Sequence, residues 1–426
     1  MKAVRRTGSR GRKPRRASRL SEGTGNVVFD YRLEYEGKTP THAVLAGPKA
    51  SPERILSVGL APRPDWFSRL CFGENSGILR HLCDDPCVCG KVNLVYIDPP
   101  FATGSRLSAR DADHAYDDVV AGAEFIEFLR QRIILLRELL APTGSIYVHL
   151  DGKKAFPMKV IMDEIFGPAS FRNFITRKKS NNKNYTHRQY GNISDYILFY
   201  TKTSRFTWNR PYDPWTDADP PKEYHYVEEG TGRHYMKVPV HAPGERSGET
   251  GKPWRGKLPP PGKHWQYPPA VLDEMDAKGE IYWSPNGNPR RKIYLDESSG
   301  IPAQDIWLHF RDAHNQNIHV TGYPTEKNLP MLERIVQASS DEGDLVLDCF
   351  TGSGTTLVAA ERTGRRWIGV DSSMKAVETT LRRLAQGSEP MGDYVRGKNG
   401  RARQPALFHT GELRGSFDLY VAEGAV

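Results

Sequence analysis

The sequence predicts an α/β fold, a parallel sheet with crossover helices that a loop-rich insert interrupts. Three observations carry this. Strand-like and helix-like segments alternate from Leu70 to Leu150, a proline-rich stretch breaks the alternation after Phe206, and the alternation returns at Leu329. Strand, helix, strand in succession indicates parallel pairing, because parallel neighbours need a crossover connection.

Each element follows from its pattern. "RLCFGEN" reads as a short strand ending in Gly73-Glu74-Asn75, and "SGILRHL" as a helix. "VNLVYID" is a second strand, continuously apolar as a strand covered on both faces is. Phe125, Phe128, Leu129, Ile133, Leu136 and Leu140 recur at helical spacing. Pro142-Thr143-Gly144 is expected to stop that helix, with "SIYVHLD" following as a third strand. "KVIMDEIFG" is a helix, and "FRNFITRKK" and "ISDYILFYTK" are a strand pair around a polar loop, residues 180–192. Beyond Leu329, "PMLERIVQASS" and "TTLVAAERTG" read as helices and "DLVLDCF" and "RRWIGVD" as buried strands. The text after Ser388 is mixed and polar, and reads as a tail.

Twelve prolines lie between Pro211 and Pro269, and their locked φ and missing N–H forbid long helices there. Basic and aromatic residues interleave in "GKPWRGK" and "GKHWQY". Two readings compete: a surface whose cations hold phosphates while its rings stack on bases, and a packing insert without a ligand.

The 426 residues carry a net charge of +9, unevenly placed. Residues 1–20 hold nine Lys/Arg and no acid, so the remainder balances at 51 basic against 51 acidic residues. Such an arm suits a polyanion such as nucleic acid, with an unstructured solubilising tail as the plainer reading. No apolar stretch follows the arginines and no run of 18 apolar residues occurs, so a cytoplasmic protein without a membrane partner is expected. Five cysteines are too few for a disulfide scaffold. His81, Cys83, Cys87 and Cys89 in "HLCDDPCVCG" lack a second ligand pair, so a turn with reduced thiols is expected ahead of a zinc knuckle.

Two strand ends carry the chemistry. In "DLVLDCFTGSGTTLVAAE" a strand runs through Gly352-Ser353-Gly354 straight into a helix, where glycines let the backbone approach a ligand and free N–H groups meet an anion. No lysine follows as a P-loop requires, and Thr355, Thr356 and Leu357 stand where a dinucleotide fingerprint wants a third glycine. A ligand with a carboxylate, a ribose and no phosphate fits: S-adenosylmethionine. Asp371 closes the next strand, where a carboxylate can take both ribose hydroxyls.

The other strand end is "LVYIDPPFATG". An exocyclic amine on a base is a poor nucleophile, because its lone pair is delocalised into the ring. Accepting hydrogen bonds from both amino protons localises that pair toward an attacked methyl. The Asp98 carboxylate and the Pro99 carbonyl are candidate acceptors, Pro99 and Pro100 stiffen the strand end, and Phe101 offers a face for an extruded base. An acidic strand cap before a proline turn is the bland alternative.

With both motifs in hand, the sequence resembles the amino-methyltransferases of DNA, the adenine-N6 and cytosine-N4 family that includes the modification subunits of type III restriction systems. Asp98-Pro99-Pro100-Phe101 is similar to the family's catalytic tetrad, Asp348 to Thr356 to its cofactor loop, and Gly322 to Lys327 to the segment before that loop. The likeness runs from about Phe72 to Arg383, with Glu326 where the family usually has Gln and with Asn328 and Cys349 where it usually has Pro. It implies a Rossmann-like S-adenosylmethionine-dependent sheet, circularly permuted, with an inserted loop-rich target-recognition module. Strands ending at Asp348, Asp371, Glu74, Asp98 and Leu150 would be first to fifth of that sheet. The implied cofactor residues are Asp348, Phe350, Gly352, Ser353, Gly354, Thr355 and Asp371, with Thr325, Lys327 and Glu74 or Asn75.

Asp at the first tetrad position implies adenine N6, since cytosine-N4 members typically carry Ser. Cytosine-C5 chemistry needs a Pro-Cys pair after this strand, and Pro86-Cys87 precedes it. Double-stranded DNA is the implied substrate, with RNA as a further candidate. A homodimer and a restriction subunit are the candidate protein partners, and a non-catalytic specificity subunit is the alternative role. The expected organisation is a basic arm (1–24), a catalytic half (25–204), a recognition insert (205–304), a cofactor half (305–387) and a tail (388–426).

Overall fold

The computed structural model describes residues 31–58, 68–100, 122–182, 188–215, 222–312, 319–320, 326–386, 389–390 and 416–424. The basic arm lies outside them. The chain before the insert comprises α1 (Thr41–Leu45), β1 (Pro52–Val58), β2 (Arg69–Phe72), α2 (Asn75–Asp84), β3 (Val92–Ile97), α3 (Ala123–Leu139), β4 (Leu140–Leu150), α4 (Ala155–Phe166), β5 (Phe171–Lys178) and β6 (Ser194–Thr201). The insert supplies β7 (Tyr212–Asp213), β8 (Tyr226–Val227), β9 (His234–Pro239), β10 (His241–Pro243), β11 (Lys263–Trp265), α5 (Pro269–Ala277), β12 (Ile281–Trp283), β13 (Pro289–Tyr294) and β14 (Ile301–Pro302). The chain then returns through β15 (Ile306–Trp307), β16 (His319–Val320), α6 (Leu329–Ser339), β17 (Leu345–Asp348), α7 (Thr355–Arg362), β18 (Arg366–Asp371), α8 (Met374–Gln386), β19 (Glu389–Pro390) and β20 (Phe417–Ala422).

Ten strands form one sheet in the order β1-β20-β2-β18-β17-β3-β4-β6-β5-β15. The run from β20 to β4 is parallel throughout, while β6 opposes both its neighbours. The strands ending at Glu74, Asp371, Asp348, Asp98 and Leu150 therefore lie side by side, third, second, first, fourth, fifth, as the permuted reading expects. Helices α2, α3 and α4 cover one face, with Ile78, Leu129 and Ile161 against Val95, Ile97 and Val148. Helices α6, α7 and α8 cover the other, with Leu332, Leu357 and Val377 against Leu94, Tyr96 and Val346. Burial on both faces is why β3 and β17 read as unbroken apolar runs.

Three features differ from the sequence reading. Helix α3 ends at Leu139 and β4 begins at once, because the residues before Pro142 are pushed to extended backbone. Part of the expected tail, β20, is a strand of the main sheet pairing with β1 and β2, and Phe417 packs on Trp367 at 5.2 Å between ring centroids. The third concerns the insert. Its β12-β13-β9-β8 sheet and β10-β11 ladder enclose Val240, Trp254, Trp265, Leu272, Met275 and Ile281. Trp254 and Trp265 are each 2% exposed, and their indoles donate to Asp273 at 2.9 Å and to the Lys252 carbonyl at 3.0 Å. The rings of "GKPWRGK" and "GKHWQY" are thus core rather than a platform for bases. In a stretch crowded with proline and poor in aliphatics, aromatic rings are the apolar volume available.

The cysteines of "HLCDDPCVCG" are free, and the described residues contain no group of three side chains placed to hold a metal. No described helix is long and apolar enough to cross a membrane.

Candidate active site

β17 and β3 are neighbours whose onward helices lead opposite ways, α7 toward β18 and α3 toward β4. Beyond the carboxyl ends of two such strands, an open α/β sheet leaves a crevice for a ligand. Asp348 ends β17, Asp98 follows β3, Asp371 ends β18 and Glu74 follows β2, so four carboxylates line one sheet edge.

Asp98 is held from one side only. Its Oδ2 lies 2.5 Å from Lys327 Nζ, while its Oδ1 is buried without a hydrogen-bond partner among the described residues. Lys327, expected at the cofactor, thus carries its ammonium to the tetrad carboxylate. It sits directly before α6, whose cap residue Asn328 accepts from the Met331 N–H at 3.2 Å.

Asp348 is 2% exposed and accepts the Phe350 N–H at 2.9 Å. Burial pushes its carboxyl up to about 7, with the Asp98 and Asp371 charges adding to the rise. No cation pairs with it among the described residues, so this carboxylate is short of a positive partner. Asp371 accepts the Gly352 N–H at 2.8 Å and the Ser373 N–H at 2.9 Å, and burial raises its pKa as well. It fastens the glycine turn and keeps further lone pairs for a ligand.

The turn is left-handed at Gly352 (φ 52°) and Gly354 (φ 75°). A Cβ at Gly354 would fall 2.8 Å from the Thr380 side chain, so both backbone and neighbour demand glycine. Arg383, buried, donates to Thr355 Oγ1 at 2.7 Å and to the Ser353 carbonyl at 3.2 Å, and its Nη2 lies 3.0 Å from Glu326 Oε1. The hydroxyl of Thr355 is therefore committed to the scaffold. Glu326 places its charge against Arg383, which accounts for a carboxylate where the family usually has an amide.

On the far side, Asn75 Nδ2 donates to the Cys349 carbonyl at 2.8 Å and its Oδ1 accepts from Arg132 Nε at 2.7 Å. Arg132 also reaches Glu74 at 2.5 Å and lies 3.5 Å over the Phe128 ring, which touches Phe350. Burial alone would raise the Glu74 pKa, but hydrogen bonds from Ser76 and Gly77 and the Arg132 charge hold it below the usual carboxylate range. Sequence reasoning missed Arg132 and Arg383. Arg132 had a visible signal, a cation four residues from Phe128 on the stripe assigned to the core.

A family model described as DNA methylase, N6_N4_Mtase, matches residues 92–382. The chain belongs to this DNA methylase family. The methylase is 51% identical over 306 residues to the type II methyltransferase M.EcaI of Enterobacter cloacae, covering 72% of this chain and 67% of that protein. It is 26% identical over 323 residues to the StyLTI Mod subunit, a type III restriction-modification enzyme of Salmonella typhimurium, covering 67% of this chain and 48% of that one. It spans about half the length of that subunit. Among solved structures, the M1.HpyAVI–SAM complex aligns with TM-score 0.39 and 16% identity over 74% of this chain and 98% of its own.

In the methylase, Asp98, Pro99, Lys327, Asp348, Phe350, the glycine turn and Asp371 gather at the sheet edge, with Glu74 at its rim. Phe101 and Thr325 lie outside the described residues.

Proposed function

We propose that the methylase transfers a methyl group from S-adenosylmethionine to adenine N6 in double-stranded DNA, at a specific sequence and on a flipped-out base. The observation that carries this reading is the buried Asp98 Oδ1, left without a described partner while Lys327 fixes the other oxygen. Such an atom fits one hydrogen of an exocyclic amine, and the Pro99 carbonyl fits the second. The two acceptors raise the amine's nucleophilicity as it reacts, an electrostatic contribution that a preorganised site supplies without reorganisation.

The donor set also fits the cofactor. Asp348 is a buried carboxylate without a cation among the described residues, suited to a ligand carrying a sulfonium and an ammonium, Asp371 suits the ribose hydroxyls, and Glu74 is proposed for the cofactor's adenine side. When bound, S-adenosylmethionine supplies the electrophilic methyl. The glycine turn, Asp348, Asp371 and Glu74 bind and orient it; Asp98 and Pro99 orient the amine; Phe101 is proposed to stack on the base.

The choice of adenine rests on the resemblance through Asp98, since adenine N6 and cytosine N4 present the same pair of hydrogens. Residues 205–304 are proposed as the recognition module, and the basic arm as a phosphate contact. Cytoplasmic action, a second copy and a restriction subunit complete the proposal. Mass spectrometry of nucleosides from DNA treated with the protein is expected to give N6-methyladenine. N4-methylcytosine alone would overturn the base and keep the reaction.

A further inference from the structure

Behind Asp98 a line of polar side chains crosses four adjacent strands, β3, β4, β6 and β5. Tyr96 Oη meets His149 Nδ1 at 2.7 Å. His149 Nε2 lies 3.0 Å from Asp195 Oδ2, in contact but without hydrogen-bond alignment. Arg177 grips Asp195 through Nε and Nη2, each at 2.8 Å, and the same Nη2 reaches Asp312 Oδ1 at 2.5 Å. Tyr96, His149, Asp195 and Arg177 are all 2% exposed or less.

The two ends of this line are informative. Tyr96 stands two residues before Asp98 on β3, so it shares the strand face on which Asp98 follows. Asp312 lies on the segment returning from the insert, and its N–H donates to the Lys179 carbonyl at 2.8 Å. The adjacent Arg311 carbonyl accepts from Asn328 Nδ2 at 3.2 Å, next to Lys327. The return segment is therefore tied to both members of the Asp98–Lys327 pair.

The rest of this face is mostly apolar, with Leu94, Ile175, Ile197, Phe199 and the Tyr147 ring around the line. Burying a guanidinium, a carboxylate, an imidazole and a phenol there is no gain in stability over apolar packing of like volume. Burial lowers the His149 pKa although Asp195 and Asp98 oppose it. The neutral ring then accepts the Tyr96 O–H at Nδ1 and turns Nε2–H toward Asp195, which fixes the phenol's direction. Buried polar groups joined in this way, hydrogen-bonded from Tyr96 to His149 and from Arg177 to Asp195 and Asp312 with the His149–Asp195 contact between them, specify one arrangement of the elements they join.

We infer that Tyr96, His149, Asp195, Arg177 and Asp312 are positioning residues that fix the end of β3, and with it Asp98, through the docking of the segment returning from the insert. The inference rests on Asp98 being the acceptor of the target amine.

The test is methyl transfer by the full chain, with tritiated S-adenosylmethionine and unmethylated genomic DNA, for Tyr96→Phe, Asp312→Ala and the double variant. A displacement near 1 Å at a reacting group costs about a hundredfold in rate, so each single variant is expected to lose about tenfold to a hundredfold in kcat. Cofactor affinity by calorimetry should stay within about twofold. The double variant should be no slower than the slower single one, as for residues acting as a unit. Asp312→Asn, which keeps an acceptor for Arg177, should recover most of the rate. Normal kcat in Tyr96→Phe, or losses that multiply in the double variant, would overturn the relay. So would cofactor affinity falling as far as kcat, which marks a packing role alone. Asp98→Ala separates the two readings: if it is inactive while Tyr96→Phe is normal, only the relay fails, and if it transfers methyl normally, the acceptor reading fails with it.

Discussion

At the carboxyl edge of the sheet carboxylates are buried, whereas the insert builds its core from rings and keeps most of its ion pairs near the surface. Asp348 and the Glu326–Arg383 pair are almost wholly enclosed, and Asp98 nearly so. In the insert Trp254 and Trp265 are enclosed, while Arg233 with Asp296 and Arg255 with Asp273 pair at the surface. Surface pairs contribute little, and enclosed charges cost stability unless something answers them. The difference teaches where to look for chemistry. A fold keeps a buried carboxylate without a cation when a ligand supplies the missing partner, and it keeps a buried tryptophan to hold itself together.

The strongest way to break this comparison is Asp98→Ala. It is expected to lower methyl transfer by two or more orders of magnitude, on the scale of losing a preorganised transition-state contact, and to leave S-adenosylmethionine affinity near normal. Single-turnover transfer and calorimetry read the two quantities separately. A rate close to the original would remove Asp98 from the chemistry.

Trp254→Ala asks the complementary question. Removing an enclosed indole that stacks on Trp283 at 5.1 Å is expected to cost about 3–5 kcal/mol of local stability. Because these residues form a core separate from the two faces of the main sheet, the variant should lose DNA modification while its cofactor affinity persists. Loss of both together would show that insert and edge fold as one unit.

How far this division was legible follows from the particular residues. The strands were legible because Asp98, Asp348 and Asp371 each close an apolar run long enough to mark one, while their order in the sheet came from the family resemblance. The glycine turn was legible because left-handed backbone restricts the residue type. The role of the tryptophans was not, since a ring beside lysines reads alike whether it stacks on a base or on another ring. The pairing of Lys327 with Asp98 was not legible, because sequence proximity to the glycine turn says nothing about which strand end a four-carbon stem reaches. β20 was hidden by the polar stretch before it, although Phe417 and Leu419 flank Asp418 with the alternation of a half-buried strand. His149, Asp195 and Arg177 gave no signal: His149 is a single polar residue in an apolar run, Asp195 follows Ser194 at a strand start, and Arg177 is one of several polar residues in its strand.

Asp348 sharpens the comparison through pH. Its folded-state pKa is raised to about 7 from an ordinary value near 3.8, so between those values the folded chain binds more protons than the unfolded one. Stability from this group therefore falls as pH rises from about 4 to about 7, the reverse of a salt-bridged carboxylate. Asp348→Asn removes the titration. Without cofactor, its melting temperature relative to the original should be similar near pH 4 and higher at pH 8. A difference that does not change with pH would mean that Asp348 is compensated after all.

The smallest effect tests the surface side. Arg255 is the one non-glycine residue with positive φ (47°) among the described residues, at the tip of a two-residue hairpin closed by reciprocal 2.9 Å bonds between Trp254 and Lys257. Such a turn places both central residues in left-handed backbone and favours Asn-Gly, whereas here it is Arg-Gly, with Gly256 at φ 76°. The arginine's left-handed conformation costs about 1 kcal/mol. It is offset in part by pairing with Asp273 at 3.0 Å and with Asp276, contacts that contribute little at a half-exposed site. Arg255→Asn relieves the strain and forfeits the pairs, so denaturant unfolding should show a gain of at most about 1 kcal/mol and cofactor affinity should not move. If the strain persists because Arg255 leaves the two aspartates for a phosphate, the same variant should weaken DNA binding and lower its salt slope by about 0.9. A variant more stable and equal in DNA affinity and slope would leave Arg255 as surface charge only, and the insert's division between buried rings and idle surface charge would hold without exception at this tip.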